Sequence, residues 1–338
     1  MPGASPGGRP TMNDIAHELG LSQAAVSLVF RGRPGVSEET RRRVLRTAER
    51  LGYVRDESAR ALRAQSPTSI GIAFRTHQPF HDALLDGFYA AAAHTPYNLV
   101  LSAISEFRDE RTVVEDLLAH RCGALILIGP RTHDDELAAF VRGTPLVVVA
   151  RRCEVPDSEW VVSDDEGGMQ AIVGHLADLG HRRITYLASP LDASGPDRVQ
   201  AFLRAAESLG MRTSVGVEEG GITEADGIAA AERLISSGRM PTAVVAFNDR
   251  CALGVLELLS SRGVAVPDDI SVVGFDDSSI AARPTTSITT VHQDASALAG
   301  QSIERASRRL SGEPRSGGKR GTVVPTYLVR RSTTGPVR

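Results

Sequence analysis

The chain has 338 residues, 41% of them hydrophobic and 23% charged, with a formal net charge of −3, a composition that suits a globular protein of two or three domains. No run of 18 apolar residues occurs and the opening MPGASPGGRP lacks an apolar signal core, so the expectation is a disordered tail over 1–9, a cytoplasmic location and no membrane contact. Cys122, Cys153 and Cys251 are odd in number and far apart, which argues against a disulfide framework or a zinc site and predicts reduced, buried thiols.

The first elements lie in residues 11–63. Thr11 and Asp14 form a T-x-x-D cap before Ile15, Ala16 and Leu19, so a helix starts there and stops at Gly20. After a tight turn Ser22 caps a second helix whose Val26, Val29 and Phe30 face inward. The open face then carries Gln23, Ala24, Ser27, Leu28 and Arg31, where a helix-turn-helix recognition helix presents side chains to the major groove. Gly32, Pro34 and Gly35 break the chain. Ser37 caps a third helix with Glu38 and Glu39 at its positive end and Val44, Ala48 and Leu51 along its apolar stripe. Arg41, Arg42 and Arg43 oppose the dipole of that helix, which points to an anionic partner. A helix-turn-helix domain is therefore expected over 10–57.

The rival reading is a three-helix packing unit of an enzyme, and charge discriminates. Residues 1–66 hold 11 Arg against 7 acidic residues, a net of +4, whereas the rest holds 27 basic and 34 acidic residues, a net of −7. A basic head on an acidic body suits phosphate contact by one end only.

From Ser69 onward short β-rich runs alternate with helical stretches: SIGIAF (69–74), NLVLSA (98–103), ALILIG (124–129) and PLVVVA (145–150), then RITYLA (183–188), RTSVGVEE (212–219), AVVAFN (243–248) and SVVGF (271–275). Continuous apolar strands alternating with helices predict two parallel sheets covered on both faces. Such sheets bind ligands outside the carboxyl ends of their strands, and two that face each other make a cleft.

The head motif, SARALR (58–63), GMQAIVGHLADLGHRRITYLA (168–188), PTAVVAFNDRCALGVLELL (241–259) and ISVVGFDD…PTTSITTVHQD (270–294) closely resemble the lactose/galactose repressor (LacI/GalR) family of transcription regulators, over a span from about Arg9 to Ser332. The resemblance implies an all-α helix-turn-helix head on an α/β core of two Rossmann-like, periplasmic-binding-protein-like subdomains. It implies a homodimer reading a palindromic operator in double-stranded DNA, controlled by a small-molecule effector, often a sugar, and no cofactor. The subdomains are expected at 69–166 plus 291–322 and at 167–290 plus 323–338, after a hinge helix and linker at 58–68.

Family positions place Gln23 and Ala24 against base edges, where Gln can pair bidentately with adenine and Ala can touch a thymine methyl. Thr11, Ser22, Ser27, Leu28 and Arg31 complete the expected contact set. Leu28 stands where many members have Arg, and Arg31 where many have Asn, so a different half-site is expected. Residues 58–63 are too short to hold as an isolated helix and should fold on DNA. Leu62 matches the residue that wedges between base pairs in the minor groove, flanked by Arg60 and Arg63 for phosphates.

For the effector, the resemblance assigns Arg198, Asn248 and Asp276 from the second subdomain and Phe80, with His81, from the first. Their bland readings are a surface ion pair, two turn formers and a core aromatic. Ile222 stands where sugar-binding members often stack Trp or Phe, and Gln293 where the chain crosses between subdomains. Arg151 follows Ala150 where many members have Asp; it is expected either at the ligand, making it more anionic, or paired with Asp164 or a neighbouring carboxylate. His77 and His81 are separated by Pro79 and lack a third ligand, which argues against a metal. A transport protein would share the core but not the basic head. No G-x-S-x-G occurs, and GEPRSGGKR misses the phosphate-loop pattern, so catalysis is not expected.

Overall fold

Backbone contacts divide the chain into two units, Met1–Gln65 and Ser66–Arg338. The computed structural model describes residues 10–30, 32, 34–53, 69–190, 192–313 and 320–338. The expectations for the tail, Arg31, Arg60, Leu62 and Arg63 fall outside the described residues.

The first unit contains helices Met12–Leu19, Gln23–Phe30 and Glu38–Leu51. Thr11 and Asp14 form the capping box, with the Asp14 carboxylate accepting from the Thr11 amide at 2.7 Å, while Gly20 and Gly52 end their helices at φ 64° and 66°. Ser22 Oγ accepts from the Ala25 amide and Ser37 Oγ from the Thr40 amide, each at 3.2 Å. Ile15, Val26, Val29, Val44 and Ala48 make the core, closed by the tilted Phe30 and Tyr53 rings. Arg41 serves this packing, because Nη1 donates to the Val29 carbonyl at 3.2 Å and Nε lies 3.4 Å from Glu38.

In the second unit the eight strands read from sequence all form, and among the described residues four more join them. The first sheet has the order β11-β5-β4-β3-β1-β2, every pair parallel, from β1 (Ser69–Arg75), β2 (Asn98–Ile104), β3 (Ala124–Ile128), β4 (Leu146–Val149), β5 (Glu159–Ser163) and β11 (Gly321–Val324). The second is β7-β6-β8-β9, also parallel, from β6 (Ile184–Ala188), β7 (Val215–Glu219), β8 (Ala243–Ala246) and β9 (Ser271–Val273). β10 (Thr290–Gln293) and β12 (Thr326–Val329) pair antiparallel beside them. β3, β4 and β8 are buried along their whole length, as sheets covered by helices on both faces require.

The chain crosses between the sheets three times, a few residues from the expected boundaries. Asp164 is hydrogen-bonded to Val324 and caps helix Asp165–Asp178, which packs on Gly195–Ser208 of the second sheet. The second crossing lies past Gln293 rather than at 290/291, since Val291 and His292 still pair with Asp276. The third follows Val324 rather than 322, because β11 continues its ladder on β5 to that residue. At the second and third crossings strand hydrogen bonds carry the chain further than the expected boundaries, whereas the first comes earlier, where Asp164 caps its helix.

Helices Glu224–Ser236 and Asp249–Ser261 touch backbone to backbone. A methyl group on Gly254 would lie 2.0 Å from the Glu224 carbonyl oxygen, and one on Gly227 would lie 2.1 Å from that of Cys251. Gly254→Ala should therefore force the pair apart and destabilise the protein by about 1–3 kcal/mol. Urea unfolding followed by circular dichroism should show the lowered midpoint, and an unchanged midpoint would contradict the close approach.

Candidate functional site

In each sheet the strand order reverses once, between β1 and β3 and between β6 and β8. The loops leaving the carboxyl ends of strands at such a reversal diverge to opposite faces and leave a crevice. The two crevices share one cleft of about 540 Å³ of non-atom space, its open mouth included. From the first sheet come Arg75 at the end of β1 and Gln78, Phe80 and His81 after it, with Gly129 and Ala150; from the second come Asp192, Ser194, Arg198, Ile222, Phe247, Asn248 and Asp276, with Gln293 from the crossing strand β10.

Arg198 is the centre of the second wall. It is 4% exposed, its Nε donates to Asp165 at 2.9 Å, Nη1 donates to the Phe247 carbonyl at 3.0 Å, and its guanidinium lies 3.8 Å from the Phe275 ring centroid and 4.9 Å from that of Phe247. Nη2 has no hydrogen-bond partner among the described residues, so it is the donor left for a ligand. Burial works against its charge, but Asp165, Asp276 and Asp192 outweigh burial and hold the guanidinium more firmly protonated than an ordinary arginine.

Asp276 sits on the strained side of this arrangement. Its φ is 115°, an uncommon conformation for a residue with a side chain, and its Oδ1 accepts from Gln293 Nε2 at 2.7 Å. Burial, then the neighbouring Asp249 charge, push its carboxyl well above the usual range. Asp249 is pushed up to about 6, by burial first, although Thr290 Oγ1 donates to it at 2.6 Å and the Ser278 amide at 2.7 Å. Asn248 has a double role: Oδ1 caps helix Asp249–Ser261 by accepting from Cys251, and Nδ2 donates to the Ile222 carbonyl, which holds Ile222 at the cleft.

On the first wall, the Arg75 amide donates to His81 Nδ1 at 3.1 Å, and burial lowers the imidazole to about 4, so the ring stays neutral with its proton on Nε2. Phe80 both lines the cleft and packs against the first-sheet core. Arg75, Gln78, Asp192 and Ser194 were not read from the sequence; the available signal for Arg75 is a charge closing the otherwise apolar strand SIGIAFR.

Arg151 is a correction. Ala150 turns at φ 70°, and Arg151 leaves the cleft to donate to Asp134 at 2.7 Å and to the Pro130 and Thr132 carbonyls. The ion-pair reading holds, with Asp134 as the partner. Arg151 borders a second, more polar hollow with Arg152, Asp164, Asp197 and Arg204.

In the first unit, Gln23 and Ala24 are exposed at the start of their helix, while Ser27 and Leu28 are half-buried, so the exposed start of the helix is its free face. Thr11 and Ser22 are both engaged as caps.

Because the fold retains the Asp276 proton to higher pH than an unfolded chain with its Asp near 3.8, the native state binds more protons above about pH 4, and stability falls as pH rises through that window. Asp276→Asn keeps an acceptor for Gln293 and removes the charge. It should raise stability at pH 7 by roughly 1 kcal/mol or more and make the decline from pH 4 to 7 shallower. Thermal melts across that range decide the point, and a lower melting temperature at pH 7 would refute it.

Comparison with known proteins agrees with both units. Residues 11–56 match the model of bacterial regulatory proteins of the lacI family, and residues 173–334 match that of a periplasmic binding protein-like domain. The HTH-type transcriptional regulator GalR of Escherichia coli (strain K12) is 32% identical over 301 residues, 88% of each chain. A LacI transcriptional regulator from a Rhodococcus species is 42% identical, with a TM-score of 0.75 over 80% of this chain and 99% of that one. The lac repressor dimer bound to operator and the anti-inducer ONPF is 26% identical, with a TM-score of 0.83 over 97% of this chain and all of that one. A helix-turn-helix head, a two-sheet core with its cleft at the strand ends, and relatives matched over nearly their full length place this chain in the LacI family of bacterial transcriptional regulators.

Proposed function

We infer that the chain is a repressor without catalytic activity, binding a palindromic operator as a homodimer and released from it when a sugar or related metabolite enters the cleft. The observation that carries this reading is a cleft walled by both subdomains on the same chain as a helix that begins with exposed Gln23 and Ala24. A ligand touching both walls has a different affinity for each relative placement of the subdomains, and that difference is what shifts an equilibrium. The described state already holds one contact between them: Arg250, gripped by Glu224, donates to the His77 carbonyl. Support for operator binding as a dimer comes from the lac repressor relative, solved in that form. Binding would associate the protein with the nucleoid.

Fluorescence anisotropy of the purified protein on DNA from upstream of its own gene, beside a scrambled duplex at two salt concentrations, tests the reading. A preference that persists at the higher salt is expected. Gln23→Ala should cost about 1–3 kcal/mol on the specific duplex. Leu62→Ala should weaken specific binding far more than non-specific binding. Equal, salt-sensitive binding to both duplexes would count against operator recognition, and equal losses in Leu62→Ala would remove the wedge.

A further inference from the structure

The cleft contains two guanidiniums in opposite electrostatic situations. Arg198 is over-supplied with carboxylates, with Asp165 in contact and Asp276 and Asp192 adding to it. Arg75 is under-supplied. Glu110 accepts from its Nη2 at 3.2 Å, but Glu110 also takes the Arg131 and Thr132 amides and the Thr132 hydroxyl, so its charge is shared among four donors. Nε and Nη1 of Arg75 have no hydrogen-bond partner among the described residues. Burial, then repulsion from Arg131, lowers the guanidinium below an ordinary arginine, and the attractions of Glu110 and Asp192 do not make up the difference.

Beside it stands His81. Its Nδ1 accepts from the Arg75 amide, which leaves the Nε2 proton as a neutral donor on the same wall. Gln78 adds an amide from the same loop. The opposite wall is rich in acceptors: Asp276, held by Gln293, and Asp192, whose Oδ1 accepts from the Ser194 amide and hydroxyl at 3.1 and 3.0 Å. Asp192 is the counter-pull, because its field reaches both Arg75 and His81. It steadies the guanidinium and disfavours an anion beside it, yet the balance still leaves Arg75 short of negative charge.

Building on the effector reading, we propose that the effector is an anionic polyhydroxy compound, a sugar acid or sugar phosphate. Its carboxylate or phosphoryl group seats on Arg75 and His81, and its hydroxyls meet Arg198 and Asp276. A guanidinium with free donors in a partly dry cleft favours an anion over a neutral hydroxyl, while the carboxylates around Arg198 suit hydroxyl donors and repel a second anion. The expectation that an arginine makes the ligand anionic thus transfers from Arg151 to Arg75.

The test is isothermal calorimetry on the full-length protein with galactose and glucose as neutral probes, galacturonate and gluconate as carboxylates, and glucose 6-phosphate and galactose 6-phosphate as phosphoryl compounds. At least one anionic probe should bind about tenfold or more tighter than its neutral parent, with affinity falling as salt rises. A preference for the carboxylates or for the 6-phosphates identifies the charged group. Arg75→Gln should abolish the preference by weakening the anionic probes far more than their neutral parents, while Arg75→Lys should retain part of it. Glu110 keeps its amide and hydroxyl donors in both variants, so melting temperatures should hold. Neutral sugars binding as tightly as their acids and phosphates would overturn the proposal and leave the effector reading intact, as would a preference that survives Arg75→Gln. Binding by no probe, neutral or anionic, would count against the sugar effector itself.

Discussion

The second wall of the cleft depends on the Arg198–Asp165 pair. Arg198 is buried and Asp165 half-buried, and two charges largely taken out of water are costly unless geometry and further hydrogen bonds offset the loss. Here they do. The guanidinium lies against two aromatic faces, contacts worth more once desolvated, and its Nη1 closes onto the Phe247 carbonyl at the end of β8. One side chain thus ties helix Asp165–Asp178 and helix Gly195–Ser208 to the strand end that carries Asn248. Losing it would strand a half-buried carboxylate and release several cleft residues at once, so structure and recognition cannot be separated at this position.

The carboxylates around this pair run against stability. Burial pushes both Asp276 and Asp249 above the usual carboxylate range, with the Asp249 charge adding at Asp276 and the Asp277 charge at Asp249, and Asp276 also occupies a backbone conformation that few side chains tolerate. A fold selected only for stability would not gather them. Their donors, Gln293, Thr290 and Ser278, orient them without neutralising them. Unfavourable polar groups held in fixed positions mark a site kept for a ligand.

How far the sequence reached follows from the range of the forces involved. Strands of four or more apolar residues were legible because they are buried on both faces. Val215–Glu219 is largely exposed, yet its position in the alternating pattern betrayed it. Glu159–Ser163, Thr290–Gln293, Gly321–Val324 and Thr326–Val329 were missed because none carries more than three consecutive apolar residues, and the two C-terminal ones rely on partners more than 150 residues away or across a crossing. Of the residues that the family resemblance nominated for an effector, Phe80, His81, Arg198, Ile222, Asn248, Asp276 and Gln293 line one cleft. Arg151 does not, because a single positive φ at Ala150 turns the chain outward, and no local pattern announces that turn. Arg75 was hidden for the opposite reason. A charge at a strand end reads as a surface residue until the second subdomain covers it.

The contact between Arg250 and the His77 carbonyl bears on how such a cleft could signal. It joins a helix of one subdomain to the β1 loop of the other, and Glu224 pre-orients the guanidinium, so little side-chain freedom is lost when it forms. A contact of this kind stabilises the described placement in the absence of ligand and so reduces what a ligand must supply. That reduction has a limit set by function. If the protein alone held the placement too firmly, ligand binding would change little, because a state that is already almost fully populated leaves no population to shift. One partly exposed latch with a carbonyl acceptor is weak enough to leave the balance open. The guanidiniums behind it, half-buried Arg75 short of negative charge and buried Arg198 with an excess of it, then leave the larger share of the bias to whatever enters the cleft.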